Sequence, residues 1–172
     1  ENDSFTAITT TESKLKKINS YKSTQEALLL KINQDSDLSE LIEDFDALII
    51  TIAPTKKASF EETYLETSQV ITNAIKERKK PLYLLYTSST SVYGDQEGKI
   101  TDERALRKPA SENAKILCEA EDRYLSASSK YNDVCVLRLG GIYGPNRTLD
   151  SRALKMSKKE FPGNGNEFTN NI

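Results

Sequence analysis

Short apolar runs alternate with amphipathic segments along this chain, and this alternation constrains its fold more than any other feature. Five runs have the length and composition of strands, and a helical pattern follows each of the first four. Strands that are almost continuously apolar are typical of a parallel sheet with helices on both faces. The sequence therefore predicts an α/β fold with a doubly wound parallel sheet, from the runs FTAIT, EALLLKI, DALIITIA, PLYLLYTSS and DVCVLRL.

The helix that follows PASE can be assigned a buried side from its residue spacing. Ser111 precedes it and is predicted to be its N-cap, because serine followed by Glu112 suits a helix N-terminus. Helical spacing places Lys115 beside the apolar stripe and turns Glu119, Asp122 and Arg123 away from it. The predicted stripe consists of Ala114, Leu117, Cys118 and Leu125.

Composition removes several classes of function. The 172 residues carry a net charge of -2, which is not the basic surplus that binding to a phosphate backbone requires, so we expect no nucleic acid partner. The longest apolar run, DALIITIAP, is far shorter than the roughly 20 residues that cross a bilayer, so no membrane span is expected.

Histidine is absent, and this excludes Ser-His and Cys-His triads as well as the commonest zinc ligand. The two cysteines, Cys118 and Cys135, are spaced neither as a metal pair nor as a redox motif. We therefore expect no metal site, and we expect free thiols in the cytoplasm or another reducing compartment.

The glycines are unevenly distributed. All seven lie at or after Gly94, so the first half of the chain cannot form the glycine-rich turn that seats a pyrophosphate on a helix N-terminus. The first predicted strand begins almost at residue 1, whereas a doubly wound nucleotide-binding sheet starts with a strand followed by that turn. We therefore expect that the first strand of the sheet is missing from this sequence.

Three motifs carry a family resemblance: YTSSTSVYG at 86–94, LRLGGIYGPNR at 137–147 and FPGNGNEFTNN at 161–171. In this order they resemble the extended branch of the short-chain dehydrogenase/reductase superfamily, which contains nucleotide-sugar epimerases and dehydratases. The resemblance implies that residues 1–160 form an NAD(P)-binding Rossmann domain, incomplete at its N-terminus. It also implies that residues 161–172 begin a substrate-binding region.

The resemblance implies catalytic roles for Ser89 and Lys115, which stand where the family has its active-site serine and lysine. We expect both side chains at the carboxyl edge of the sheet, where Ser89 would hold a substrate oxygen and Lys115 the cofactor ribose. The family's tyrosine, four residues before the lysine, is replaced by Ser111. A phenol with a pKa near 10 can be tuned toward neutral pH, whereas a serine hydroxyl cannot, so Ser111 does not inherit this role.

The family's asparagine is also missing, because the equivalent segment, TYLETSQVI, contains none. The chain thus resembles an atypical subgroup in which the catalytic residues are eroded. Tyr143, on the loop that faces the nicotinamide in the family, has two interpretations: a substitute proton donor or a packing residue.

The resemblance also implies contacts to NAD or NADP. Glu12 favours NAD, since an acid pairs with the free ribose hydroxyls, whereas Thr10, Thr11 and Lys14 favour NADP, so the choice stays open. The predicted cofactor-binding residues are Thr10, Thr11, Glu12, Asn33, Gln34, Ala53, Pro54, Thr87, Ser88, Lys115, Leu139, Gly140, Gly141 and Ile142.

The sequence therefore predicts an atypical NAD(P)-binding oxidoreductase or epimerase/dehydratase-like enzyme. Its small-molecule substrate is unidentified, and a nucleotide sugar is one candidate. The alternative is a catalytically degenerate NAD(P)-binding module that regulates or assembles other components. The resemblance also suggests a homodimer through the two long helices near residues 61–77 and 112–126.

Overall fold

A computed structural model describes residues 4–21, 26–33, 37–55, 58–145 and 147–156. Strands and helices alternate through these residues, as the sequence predicts. In chain order they are β1 (Thr6–Thr9), α1 (Glu12–Asn19), β2 (Glu26–Leu29), α2 (Ser39–Ile42), β3 (Ala47–Ile50), α3 (Thr67–Lys76), β4 (Leu82–Ser89), α4 (Glu112–Leu125), β5 (Asn132–Leu139) and α5 (Leu149–Met156). No helix among the described residues has the length and apolar character needed to cross a membrane.

The chain divides into two compact units, residues 1–36 and 37–172. In the first unit β1 and β2 pair in parallel, and α1 connects them and packs against both. Helix α1 has Glu12 in its first turn and Lys16 and Lys17 in its last, which is the charge order that the helix dipole favours.

The second unit contains a three-stranded parallel sheet with β4 between β3 and β5. Helix α4 packs against β4, β5 and α3. The side chains of β4 alternate, so that Leu82, Leu84 and Tyr86 are buried while Tyr83 between them is exposed. Parallel pairing in both units confirms the predicted α/β class.

Each unit has a parallel sheet of its own among the described strands, two-stranded in the first unit and three-stranded in the second. Among the described residues, one face of the three-stranded sheet keeps exposed apolar side chains, with Ile49 68% exposed and Tyr83 and Leu137 nearly half exposed. An apolar run reveals the strand but not which of its faces is covered.

A π-helical turn at Glu62–Glu66 precedes α3, which ends at Lys76. The buried Arg78 lies just beyond that end. Its guanidinium donates hydrogen bonds to the carbonyls of Glu43 and Phe45, at 2.7 and 2.6 Å, beyond the C-terminus of α2. Arg78 thereby satisfies carbonyls that α2 leaves unpaired.

Candidate functional site

A cavity of about 450 Å³ lies at the carboxyl ends of β4 and β5. The two strands are in parallel register with Ser89 opposite Leu139, so both end at the same edge of the sheet. Of the residues predicted to contact cofactor or substrate, this edge brings together Ser88, Ser89, Leu139, Gly140, Gly141 and Ile142. The remaining lining residues are Thr90, Ser91 and Arg147. Among these described lining residues, none carries a carboxylate.

Ser89 has a structural role that is compatible with the predicted role in binding. Its Oγ accepts a hydrogen bond from the backbone N–H of Ser91 at 3.1 Å, and this contact caps the 3-10 helix Thr90–Tyr93. Because the contact uses a lone pair of the oxygen, the hydroxyl proton stays available for a ligand. Ser89 is therefore an oriented donor at the rim of the cavity.

The glycine of the SVYG motif is required by the loop geometry. Gly94 has φ of +65°, and a Cβ there would lie 2.0 Å from the carbonyl oxygen of Lys108. The backbone N–H of Lys108 in turn donates to the carbonyl of Val92 at 3.0 Å. This close backbone approach holds the segment before α4 against the 3-10 helix, and only glycine permits it.

A buried carboxylate that the sequence did not reveal lies behind the cavity. Glu121 of α4 is 0% exposed. It accepts hydrogen bonds from Ser88 Oγ at 2.6 Å, from Arg138 Nη2 at 2.8 Å and from Arg107 Nη1 at 3.2 Å. Two guanidinium groups and a hydroxyl thus compensate the charge of Glu121, as a buried carboxylate requires.

Arg138 extends this network to the 3-10 helix. Its Nη1 donates to the phenol oxygen of Tyr93 at 2.7 Å, and the guanidinium lies 4.9 Å from the centre of the Tyr93 ring. The hydrogen bond to the Glu121 carboxylate raises the pKa of Arg138. Because Ser88 lines the cavity and Arg138 directly precedes the lining residue Leu139, the Glu121 network contacts both walls of the cavity.

The buried side of α4 differs from the predicted stripe. Ala114 and Leu117 are buried as predicted, but Leu125 is exposed and Cys118 only half-buried. The buried residues are Ala114, Leu117, Ala120, Glu121 and Tyr124. Glu121 lies seven residues after Ala114 and four after Leu117, so helical spacing alone places it on the core face. A charged residue on the apolar face of α4 was the sequence feature from which the burial of Glu121 could have been predicted. The charged Arg138 within the apolar run of β5 was the corresponding feature for its partner.

The first turn of α4 contains the two positions at which the family has its tyrosine and lysine. Ser111 is the N-cap, as predicted, because its Oγ accepts a hydrogen bond from the N–H of Ala114 at 3.2 Å. The ammonium of Lys115 lies 3.0 Å from the Glu112 carboxylate, and the Lys115 side chain is 61% exposed. Lys115 is not among the residues that line the cavity, so its convergence with Ser89 stays a prediction.

The other predicted site residues occupy strand ends and loops. Thr87 Oγ1 donates to the carbonyl of Ile50 at 3.1 Å, which ties β4 to the end of β3. Ala53 and Pro54 follow β3 and are exposed, as is Tyr143, which lies next to the lining residue Ile142. Thr10, Thr11, Glu12 and Asn33 follow β1 and β2 in the first unit. Gln34 and the segment 161–171 lie outside the described residues.

Comparison with known proteins gives relatives in sequence and in structure. Protein YeeZ of Escherichia coli K12 is 34% identical over 113 residues, which are 66% of this chain and 40% of YeeZ. UDP-glucuronic acid 4-epimerase from Bacillus cereus, solved with NAD, superposes with a TM-score of 0.64 at 20% identity, covering 84% of this chain and 49% of that one.

A second solved structure is DesIV of Streptomyces venezuelae, a dTDP-glucose 4,6-dehydratase studied as a double mutant with NAD and DAU bound. It superposes with a TM-score of 0.73 at 16% identity, covering 91% of this chain and 53% of DesIV. At these identities the two structures establish the fold alone. The chain spans about half of each solved structure and less of YeeZ.

A family model decides the assignment. The model of the NAD dependent epimerase/dehydratase family matches residues 4–160, which include both strands of the cavity and helix α4. This match confirms the resemblance carried by the YTSSTSVYG and LRLGGIYGPNR motifs. The chain belongs to the NAD-dependent epimerase/dehydratase family.

Proposed function

We propose that this chain is the NAD(P)-binding part of an oxidoreductase or epimerase/dehydratase-like enzyme that acts on a small molecule. The observation that carries the proposal is the hydroxyl-lined cavity at the carboxyl ends of β4 and β5. In doubly wound sheets, ligands bind in crevices at this edge. The solved relatives, whose structures contain NAD and a sugar nucleotide, support the same class of ligand.

The residues present fit a nicotinamide dinucleotide. The hydroxyls of Ser89, Thr90 and Ser91 and the backbone of Leu139–Ile142 give the cavity hydrogen-bonding groups that suit a ribose and a carboxamide. The proposed contacts are Leu139–Ile142 with Ser88 and Thr87, and Ala53 and Pro54 after β3. Lys115 would hold the ribose once its ammonium leaves Glu112. When bound, the dinucleotide supplies the site that accepts and returns a hydride.

Side chains of this protein hold the substrate oxygen and transfer the proton in the proposed reaction. The Ser89 hydroxyl, oriented by the N–H of Ser91, donates its proton in a hydrogen bond to the substrate oxygen. Ser111 does not transfer the proton, because its oxygen caps α4 and a serine hydroxyl does not titrate near neutral pH. The exposed Tyr143, water or a residue outside this sequence transfers the proton.

Observations on α4 favour a second function, a non-catalytic NAD(P)-binding module. Ser111 serves as the N-cap and Lys115 pairs with Glu112, so this turn lacks the phenol that the family places there. Turnover separates the two functions. The intact protein, loaded with NAD(H) or NADP(H), is offered a panel of sugar nucleotides and small carbonyl compounds while the absorbance of the reduced cofactor is followed.

Interconversion of oxidised and reduced cofactor with any member of that panel supports the enzyme. Tight dinucleotide binding without turnover across the panel supports the module, and a failure to bind either dinucleotide contradicts both. The same titrations compare NAD with NADP. A variant Glu12→Gln that loses its preference for NAD would assign Glu12 to the ribose hydroxyls.

Domain organisation, assembly and compartment complete the proposal. Residues 1–160 are assigned to the dinucleotide-binding domain and residues 161–172 to the start of a substrate-binding region. A homodimer through α3 and α4 is proposed, and sedimentation equilibrium tests it. Cys118 and Cys135 are both free thiols, which supports a location in the cytoplasm or another reducing compartment.

A further inference from the structure

Arg138 of β5 adjoins both walls of the cavity. We call residues 88–91 the β4 wall and residues 139–142 the β5 wall, since each set lines the cavity where its strand ends. Arg138 pairs in register with Ser88 and directly precedes Leu139. Its side chain is largely buried and extends toward Glu121 of α4. Arg138 is therefore placed to affect both walls at once.

The guanidinium of Arg138 divides its donors between two acceptors. Its Nε and Nη2 donate to the Glu121 carboxylate, at 3.1 and 2.8 Å, while its Nη1 donates to the Tyr93 phenol oxygen. The plane of the guanidinium is rigid, so binding to the carboxylate on one side fixes the direction of the remaining donor. Glu121 and Arg138 together thus determine where the Tyr93 hydroxyl lies.

Tyr93 carries this constraint to the β4 wall. It is buried and is the last residue of the 3-10 helix Thr90–Tyr93, whose first two residues belong to that wall. At the other end of this helix, Ser89 Oγ accepts the N–H of Ser91. A 3-10 helix of four residues is little more than one hydrogen-bonded turn, so holding one end holds the other. The position of Tyr93 therefore affects the hydroxyls of Ser89, Thr90 and Ser91.

We propose that Arg138 is a positioning residue for the ligand of this cavity: through Tyr93, it sets the separation of the β4 and β5 walls. The inference rests on the proposed function, in which the cavity holds the ribose and carboxamide of the dinucleotide. It deepens that function by identifying residues that act without touching the ligand. Neither Arg138 nor Tyr93 is among the described lining residues, so both act through the walls.

The test measures the affinity of the intact protein for NADH, or for NADPH if wild type prefers it. Wild type is compared with Tyr93→Phe, Arg138→Lys, the double variant and the control Tyr83→Phe. Titrations are followed by the fluorescence of the bound cofactor under native conditions, after circular dichroism has shown that each variant is folded. Tyr83 is a matched control because it is a half-exposed tyrosine near the start of β4, whereas the cavity lies at the end of that strand.

We expect Tyr93→Phe to weaken binding about fivefold, because it removes one charge-assisted hydrogen bond and keeps the ring. Arg138→Lys should weaken binding at least as much, since an ammonium lacks the planar fork that reaches Glu121 and Tyr93 together. The double variant should match Arg138→Lys, because Tyr93 acts through Arg138. A merely structural role would lower stability but leave the native-state affinity and the emission spectrum of the bound cofactor unchanged.

Two results overturn the inference while the proposed function stands. One is an affinity of Tyr93→Phe equal to that of Tyr83→Phe, and the other is a double variant whose loss is the product of the two single losses. Should Arg138→Lys fail to fold, the comparison of Tyr93→Phe with Tyr83→Phe decides alone. A wild-type protein that binds neither NADH nor NADPH contradicts the proposed function as well, and wild type and control then fail together.

Discussion

The two halves of helix α4 differ in almost every physical respect. At its N-terminal end, Ser111, Glu112 and Lys115 are exposed and interact mainly with one another and with the helix backbone. In the second half of the helix, Glu121 and Tyr124 are 0% exposed. The positions at which the family has its tyrosine and lysine thus form a helix cap and a surface ion pair in this chain. The buried half instead connects α4 to both walls of the cavity.

The ion pairs in the two halves of α4 differ in energy because they differ in their exposure to water. An exposed pair such as Glu112 with Lys115 contributes only about 0.2 to 0.5 kcal/mol, because water screens it and both side chains lose entropy. Removing one partner of a buried ionic network leaves uncompensated charges in the interior and costs about 3 to 5 kcal/mol. We infer that the second half of α4 determines the stability of the cavity walls, while the first half is free to serve binding.

The largest expected effect is therefore at Glu121. Glu121→Leu leaves the guanidinium groups of Arg107 and Arg138 and the hydroxyl of Ser88 without their shared acceptor. We expect the free energy of unfolding to fall by about 3 to 5 kcal/mol. Urea denaturation followed by circular dichroism measures the change, with Glu112→Leu as the exposed counterpart on the same helix.

Glu121→Gln refines this experiment, since it keeps the shape of the side chain and removes only its charge. Its loss should lie between those of Glu121→Leu and Glu112→Leu. If all three variants unfolded at the same urea concentration as wild type, the contrast between the two halves of α4 would be wrong.

The second prediction concerns alkaline pH. Tyr86 and Tyr124 are fully buried with ring centres 4.5 Å apart, and their hydroxyls have no hydrogen-bond partner among the described residues. Burial raises the pKa of both phenols. A raised folded-state pKa means that the stability due to the neutral phenol is fully present below the unfolded value near 10 and is lost as pH rises above it. Above that value, each tyrosine should cost about 1.4 kcal/mol of stability per pH unit.

Phenylalanine variants check this assignment. Tyr86→Phe and Tyr124→Phe together should reduce the alkaline loss and leave stability at neutral pH unchanged or higher, because no hydrogen bond is broken. Tyr21→Phe is the control, since Tyr21 is exposed. A double variant whose stability still fell with pH as wild type does would assign the alkaline transition to other groups.

The sequence predicted the strands, their parallel arrangement and the Ser111 cap, because each of these depends on neighbouring residues. Apolar runs form strands wherever they are buried, and a serine before a helical pattern caps it. Helical spacing could have placed Glu121 on the core face of α4, but its partners could not be predicted in this way. Arg107 and Arg138 lie 14 and 17 residues away in sequence, and the fold brings them to Glu121.

The place of Arg147 at the cavity could not be predicted from residue spacing either. The cavity at the end of β4 was predictable in part, since Ser89 and Gly140 follow from the motifs. That Arg147 completes the lining depends on the turn that its backbone bridge closes.

The third prediction is a smaller effect at the N-cap. Ser111→Ala removes the acceptor for the N–H of Ala114 and should lower the free energy of unfolding by about 1 kcal/mol. Ser111→Asp is the matched control, because aspartate caps as well as serine does. A proton-transfer role for Ser111 would show a different pattern: Ser111→Ala and Ser111→Asp would both lose turnover while only the former lost stability.

The smallest effect on stability, and the one most informative about function, is expected at Lys115. Lys115→Met should change the free energy of unfolding by no more than about 0.5 kcal/mol, since its ion pair with Glu112 is exposed. If Lys115 holds the cofactor ribose, the same variant should weaken dinucleotide binding about tenfold, measured by quenching of tyrosine fluorescence on titration with NAD. Lys99→Met is the control, because Lys99 forms a similar exposed pair with Glu97. If Lys115→Met and Lys99→Met bind NAD with equal affinity, the first half of α4 has no role beyond its own cap. That result would favour the non-catalytic module.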